Sequence, residues 1–113
     1  MKIDEAIGLE RKLFERRIGI REKKGHDYAT SENVHENFDT IAQLCKLFKI
    51  DMTKPHGVAF LYKLLKLQRE ANLLFNNKTP ANEPIVDTLL DLANYNDLEL
   101  EILIRDGIIK LED

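Results

Sequence analysis

Apolar residues recur along this chain at the three- and four-residue intervals of an α-helix, and no stretch shows the strict alternation typical of a half-buried strand. Short polar or proline-containing breaks separate four such helical segments. A chain of 113 residues is long enough for one hydrophobic core and too short for two domains. The sequence therefore predicts an all-α fold with a single domain over residues 1–113, arranged as a compact bundle of four to five helices.

The first two helices are predicted from a terminal glycine and a capping serine. The first is expected from Ile3 to Lys24, with Gly25 as its C-terminal cap. Ser31 is a candidate N-terminal cap for the second helix, after a polar segment that is expected to be partly irregular.

Prolines mark the starts of the other two helices, because proline is tolerated only in the first turn. The third helix is predicted from Pro55 to Phe75, with Thr53 as its N-terminal cap. The fourth is predicted to start at Asn82-Glu83-Pro84 and to continue to Arg105, before Gly107 ends it.

The apolar side chains of these helices are expected to face one core. They are Ile3, Ile7, Phe14 and Ile18; Phe38, Ile41, Leu44, Cys45 and Phe48; Val58, Leu61, Leu64, Leu65, Leu67, Leu74 and Phe75; and Ile85, Leu89, Leu92 and Ala93. A further apolar group, Leu100, Ile102, Leu103 and Ile104, exceeds one packing face. It predicts the interface of a homodimer or a higher homo-oligomer, or else the buried end of the last helix.

Charge and cysteine content limit the class of protein. A net charge of -3 argues against binding to duplex nucleic acid, but a small anionic ligand needs only local positive charge or a metal. The single Cys45 cannot form an internal disulfide, and it is either a packed core thiol or a catalytic one. The N-terminal residues contain no signal peptide, and no apolar run approaches the roughly 20 residues that span a bilayer. A cytoplasmic protein with no membrane partner is predicted.

Three carboxylates lie on one narrow face of the fourth helix, here called the acidic stripe: Glu83, Asp87 and Asp91. Unpaired carboxylates four residues apart repel each other, so something should compensate them. A hard divalent cation such as Mg²⁺ would do so, since it is commonly held by one or two carboxylates plus substrate phosphates. The alternatives are a solvated face, or salt bridges with a basic row on the third helix that consists of Lys63, Lys66 and Arg69. The same basic row is a candidate for binding phosphate oxygens.

Polar and aromatic side chains also accumulate just before the second helix. Lys24, Asp27, Tyr28, Asn33 and Asn37 provide a ring that can stack on a base and amides that can pair with a base edge. A loop of turn-forming residues is the alternative, and the histidines of this segment match no closed zinc site.

The run from Asn82 to Tyr95 resembles the C-terminal signature of nucleotide-modification-associated domain 1, a phage-enriched family whose pattern is approximately Glu-Ser-x-x-Asp-Thr-Leu-x-Asp-Leu-x-Asn-Tyr. Lys24 to Tyr28 resembles its Lys-x-x-Asp-Tyr element, Asn37-Phe38 its Asn-Phe, and Lys66 to Arg69 its Lys-x-x-Arg. Pro84 stands where the family favours serine, which removes a hydroxyl and an amide.

This resemblance implies a role in phage-type nucleotide metabolism or base modification. The acid layout is also similar to that of MazG-like all-α nucleoside triphosphate pyrophosphatases, which implies a MazG-like layout and Mg²⁺-dependent cleavage between the α- and β-phosphates. Those enzymes usually carry, in addition, a Glu-x-x-Glu pair on an earlier helix. Here the nearest candidates, Glu32 and Glu36, are four residues apart rather than three.

The leading hypothesis is a nucleotide-binding protein that holds Mg²⁺ through the acidic stripe and acts as a pyrophosphohydrolase if it is an enzyme. The predicted nucleotide-binding residues are Lys24, Asp27, Tyr28, Asn33, Asn37, Lys63, Lys66, Arg69, Asn94 and Tyr95. One alternative is a non-catalytic phage protein that sequesters a nucleotide or a signalling molecule. Another is an adaptor that binds a host factor through the charged first helix.

Overall fold

The computed structural model describes residues 1–28, 35–76 and 84–112, and these segments contain four helices. They are α1 (Ile3–Tyr28), α2 (Glu36–Phe48), α3 (Pro55–Phe75) and α4 (Ile85–Arg105). No strand occurs among the described residues. The predicted all-α bundle is confirmed.

The central element of the bundle is α3, which contacts each of the other three helices and packs most extensively against α4. It supplies six buried residues: Gly57, Ala59, Leu64, Arg69, Asn72 and Leu73. An edge-to-face contact between Phe48 and Phe60, with ring centroids 6.2 Å apart, joins α2 to the first half of α3. The core is therefore a thin layer around α3.

The helix ends agree with the proline and glycine signals better than with the capping signals. The bounds of α3 are those predicted, but its N-cap is Lys54, in extended backbone. Thr53 instead turns back to Asp51, whose Oδ1 accepts hydrogen bonds from the Thr53 amide at 2.9 Å and from its hydroxyl at 2.5 Å. The prediction that Thr53 caps α3 is wrong, because Lys54 occupies the N-cap position and Thr53 lies in the turn before it.

The end of α4 is confirmed at Gly107, which adopts the left-handed conformation with φ 72°. The amide of Gly107 bonds the Ile104 carbonyl at 3.1 Å and that of Ile108 bonds the Leu103 carbonyl at 2.9 Å, so a Schellman motif terminates the helix. By contrast, α1 does not stop at Gly25 as predicted and continues to Tyr28. Ser31, the capping residue predicted for α2, and Asn82, the residue at which the fourth helix is predicted to start, lie outside the described residues.

The helix faces expected to be buried are partly exposed in all four helices, including Phe38 and Phe48 in α2 and Leu67, Leu74 and Phe75 in α3. In α1 the four residues expected to face the core are exposed, from 41% for Ile18 to 76% for Ile3, and Asp27 is the buried residue of the helix. In α4 Leu89 and Ala93 are exposed, whereas Thr88 is buried. Of the predicted apolar interface, Leu100 and Ile104 are exposed, but Ile102 and Leu103 are half-buried. All four helices thus present large apolar side chains to solvent.

The length of α1 explains the extended shape of the chain. Most of this helix projects from the bundle, so the molecule measures 62 × 39 × 27 Å with a radius of gyration of 18.4 Å. A compact domain of this length has a radius of gyration of about 13 Å. None of the helices in the described segments is long and apolar enough to cross a membrane.

Candidate functional site: a buried polar junction of three helices

A buried ion pair joins the end of α1 to the middle of α3. The Arg69 guanidinium donates from Nη2 to Asp27 Oδ2 at 2.8 Å and from Nε to the same oxygen at 3.2 Å. Both side chains are 0% exposed. Because isolated charges are very costly to bury, each of these groups depends on the other for its place in the core.

A third helix joins this pair through a hydroxyl group. Arg69 Nη1 donates to Thr88 Oγ1 in α4, and Thr88 is also 0% exposed. Asn72 Nδ2 donates to the backbone carbonyl of Asp27 at 3.3 Å, which satisfies an acceptor in the last turn of α1. Asp27, Arg69, Asn72 and Thr88 are called the polar junction below.

Two ion pairs continue the contact between α3 and α4 beyond the junction. Lys66 Nζ lies 2.9 Å from Asp91 Oδ2, and Lys63 Nζ lies 2.9 Å from Glu99 Oε2. As the α3 partner moves from Arg69 to Lys66 to Lys63, the α4 partner moves from Thr88 to Asp91 to Glu99. The two helices are therefore antiparallel, and their shared face is polar along much of its length.

An aromatic contact lies between the two ion pairs. The Tyr62 and Tyr95 rings meet edge to face with centroids 5.6 Å apart. Tyr95 is half-buried and Tyr62 is 48% exposed, so both rings retain accessible surface beside Lys66 and Asp91. This part of the α3–α4 face combines charged and aromatic groups that a small ligand can contact.

Two side-chain oxygens that take part in none of the ion pairs above are buried without a hydrogen-bond partner among the described residues. They are Oε2 of Glu36, the first residue of α2, and Oε1 of Gln68, the residue before Arg69. Because unsatisfied buried oxygens are uncommon in folded proteins, each is a candidate acceptor for a donor group of a ligand or for a water molecule.

The acidic stripe is only partly within the described structure. Glu83 lies outside the described residues, Asp87 is exposed, and Asp91 is half-buried and paired with Lys66. In the described segments no three His, Cys, Asp or Glu side chains are grouped so that they could hold a metal. A cation on the two described carboxylates would thus need further oxygen ligands, either from Glu83 or from a bound phosphate.

The salt-bridge alternative for the acidic stripe is confirmed for Lys66 and Asp91. Lys63 and Arg69 also find acidic partners, but these are Glu99 and Asp27, which lie outside the stripe. Arg69 was expected to contact phosphates. In this structure its guanidinium is fully buried and bonded, and is therefore not accessible to a phosphate.

The other residues predicted to bind a nucleotide are distributed around the junction. Lys24 and Asn94 are exposed, whereas Tyr28, Asn37 and Tyr95 are half-buried. Asn33 lies outside the described residues. Sequence reasoning missed Thr88 and Glu99 as partners of the basic row, although both lie on the same side of α4 as Asp91 at 100° per residue.

Comparisons of the chain with known protein families, with curated proteins and with solved structures find no match.

Proposed function

We propose that this chain is a cytoplasmic nucleotide-binding protein of phage-type nucleotide metabolism or modification. The observation that supports the proposal is the polar junction. Asp27, Arg69 and Thr88 come from three of the four separate segments that carry the resemblance, 42 and 19 residues apart in sequence, yet they bond to one another. If these segments together build one nucleotide site, they are expected to meet at one place in the fold.

In this proposal the junction fixes α1, α3 and α4 relative to one another, and the groups beside it contact the ligand. Lys66 would release Asp91 and bind a phosphate instead. Loss of the Lys66–Asp91 pair costs little free energy because the pair is partly exposed, with 18% and 39% of the two side chains accessible. The half-buried rings of Tyr28 and Tyr95 offer surfaces on which a base can stack.

Mg²⁺ is proposed to accompany the phosphates. Asp87 and Asp91, together with Glu83, would hold it, and the bound ion would neutralise phosphate charge and lower the pKa of a bound water. Lys66 would then be free of Asp91 and would face the same phosphates.

The test measures binding and turnover in one set of proteins. The purified full chain is titrated calorimetrically with ribo- and deoxynucleoside triphosphates in Mg²⁺, and the same mixtures are analysed by anion-exchange chromatography for products. The variant is Asp91→Asn and its matched control is Glu99→Gln. Each breaks one 2.9 Å ion pair between α3 and α4, but only the first alters the acidic stripe.

A loss of nucleotide affinity of at least tenfold in Asp91→Asn, with Glu99→Gln unchanged, is expected. Full Mg²⁺-dependent binding by Asp91→Asn would refute the metal assignment, and no binding of any nucleotide by the native chain would refute the function. The latter outcome would favour the adaptor, which binds a host factor through α1.

The runner-up is a protein that sequesters a nucleotide or signalling molecule without chemical change. It is favoured by the spacing of Glu32 and Glu36, which does not match the Glu-x-x-Glu pair of the similar pyrophosphatases. Equilibrium binding without any product in the chromatogram would identify it. Product formation that is lost in an Asp87→Ala/Asp91→Ala double variant would identify a hydrolase.

The proposal includes assembly of the protein into a homo-oligomer. Large apolar side chains that are exposed on α1 and α4, including Phe14, Leu89 and Leu90, support this part of the proposal.

A further inference from the structure

The chain exposes more surface than a folded monomer of its size. Its accessible area is 8769 Å², whereas the scaling for monomeric proteins gives about 6,400 Å² for a mass of 13.1 kDa. The excess, about 2,400 Å² in each copy, is comparable to what one subunit of a large obligate homodimer buries. Nearly all residues of α1 from Ile3 to Lys24 are exposed, as is the outer face of α4.

The projecting part of α1 is apolar on a face that no other helix in the described structure covers. Ile3, Ile7, Phe14 and Ile18 fall within about 60° of arc at 100° per residue, and all four are exposed. The helix docks on the bundle only near its C-terminal turn, where Asp27 is buried. Most of the stability of a helix in a protein comes from packing of its apolar face, so this face needs a partner if α1 is to be stable.

A second apolar stripe runs along the outer face of α4, opposite the face that contacts α3. Its members are exposed apolar residues that lie within about 100° of arc, and they are Val86, Leu89, Leu90, Ala93, Leu100 and Ile104. The 21 residues of α4 extend about 31 Å, and the projecting part of α1 about 33 Å. The two helical segments therefore match in length.

The charges beside the two stripes are opposite in sign. The projecting residues 3–24 of α1 contain seven Lys or Arg and five Asp or Glu, a net charge of +2, and all of the basic residues lie in residues 11–24, which carry +5. Helix α4 contains five Asp or Glu and one Arg, a net charge of -4. Two of its acids pair with α3, so Asp87, Asp97 and Glu101 remain on its exposed side. In α1, Arg11 and Arg21 border the apolar stripe at 100° per residue.

We propose that α1 of each copy packs along the outer stripe of α4 of a second copy, in a reciprocal two-fold dimer. Such an interface is self-complementary because each chain carries both the basic helix and the acidic face. It covers both apolar stripes at once and specifies the contact surfaces of the proposed homo-oligomer. It does not require that the protein bind a nucleotide.

Two charge-reversed variants test this arrangement. In the first, Asp97→Lys/Glu101→Lys, two acids on the exposed side of α4 become basic; in the second, Arg11→Glu/Arg21→Glu, the two arginines that border the α1 stripe become acidic. All four residues are exposed, so circular dichroism should show that each variant still folds. Sedimentation equilibrium of the full chain gives the dissociation constant of the dimer.

Each variant alone places like charges in both contacts of the dimer, and we expect its dissociation constant to rise at least tenfold. An equimolar mixture of the two variants restores opposite charges in both contacts, so a heterodimer close to native affinity is expected. The matched control is Lys46→Glu/Lys110→Glu, which changes the net charge as the second variant does but lies outside α1 and α4, and it should dimerise like the native chain.

Three results would overturn the proposal. They are a native chain that stays monomeric at all concentrations, variants that dimerise as tightly as the native chain, and a mixture that fails to recover the dimer. A monomeric native chain would mean that the exposed stripes of α1 and α4 are covered by a different protein or by each other within one chain.

Discussion

Arg69 and Asp27 lie 42 residues apart in the sequence and form an ion pair in which neither side chain is accessible to water, with Nη2 2.8 Å from Oδ2. The pair is what attaches α1 to the rest of the bundle, since Asp27 is the buried residue of that helix. Thr88 extends the attachment to α4. The stability of the bundle should therefore respond to these residues far more than to any surface pair.

Asp27→Asn should be strongly destabilising, because it leaves the Arg69 charge buried without its counter-ion. We expect the free energy of unfolding to fall by about 3–5 kcal/mol. Urea denaturation followed by circular dichroism, at one fixed protein concentration, measures this change.

The matched control for Asp27→Asn is Asp106→Asn. It breaks an Arg–Asp pair of similar length, 2.9 Å from Arg105 Nε, in which the Arg105 side chain is 63% exposed. A surface pair of this kind contributes little to stability, so Asp106→Asn should leave the free energy of unfolding nearly unchanged. Equal losses in the two variants would contradict the structural role assigned to Asp27.

Thr88→Val should separate the hydroxyl group from the volume of the side chain. Valine fills nearly the same space but removes the acceptor for Arg69 Nη1. We expect a loss of about 1–3 kcal/mol, the cost of leaving a buried donor unsatisfied. Thr88→Ser keeps the hydroxyl and loses one methyl group, so it should cost about 1 kcal/mol. If Thr88→Ser proved the more damaging change, packing rather than the hydrogen bond would explain why Thr88 is buried.

The sequence predicts the helices well where a proline or glycine limits the backbone. Pro55 and Gly107 mark the start of α3 and the end of α4 as observed, because these residues act through their own φ angles and need no distant partner. Gly25 fails as a helix end because glycine only permits a left-handed turn. The Asp27–Arg69 pair, which lies beyond it, anchors another turn of helix.

Periodicity alone could not assign the faces of α4. The helix has an apolar side and an acidic side, and the usual expectation is that the apolar side faces the core. Here Lys63, Lys66 and Arg69 of α3 provide partners for the polar side, so Asp91 and Glu99 face inward and Leu90 faces out. Which side of α4 faces inward therefore depends on the side chains of the helix that packs against it, and the sequence of α4 alone does not contain this information.

Gly57 should tolerate a side chain far less well than the glycines of α1. A Cβ atom on Gly57 would overlap the Asp51 carbonyl oxygen and come within 2.9 Å of its carbon, so the backbone itself would have to move. Gly57→Ala should therefore destabilise the protein by about 1–3 kcal/mol, as overpacked sites do.

The matched control for Gly57→Ala is Gly19→Ala in α1, where nothing lies within 4 Å of the added methyl group. Alanine is the better helix former by about 0.5–1 kcal/mol, so this change should stabilise α1. Thermal unfolding of both variants measures the two changes in stability. A Gly57→Ala variant that is as stable as the native chain would show that Asp51, in the connection from α2 to α3, does not lie against Gly57 as closely as the structure shows.

Asp51 should report on the turn before α3 through its titration. The hydroxyl of Thr53 and then its amide donate to the Asp51 carboxylate and hold its pKa below the ordinary value of 3.8. Since the folded-state pKa is lowered, the stabilisation is present above the unfolded value and is lost as the pH falls through the folded one. Thr53→Val removes the hydroxyl and keeps the amide, so the pKa of Asp51 should rise toward 3.8 without reaching it. NMR titration of the side-chain carboxyl carbon measures both pKa values, and an unchanged pKa in Thr53→Val would mean that the hydroxyl does not bond Asp51 in solution.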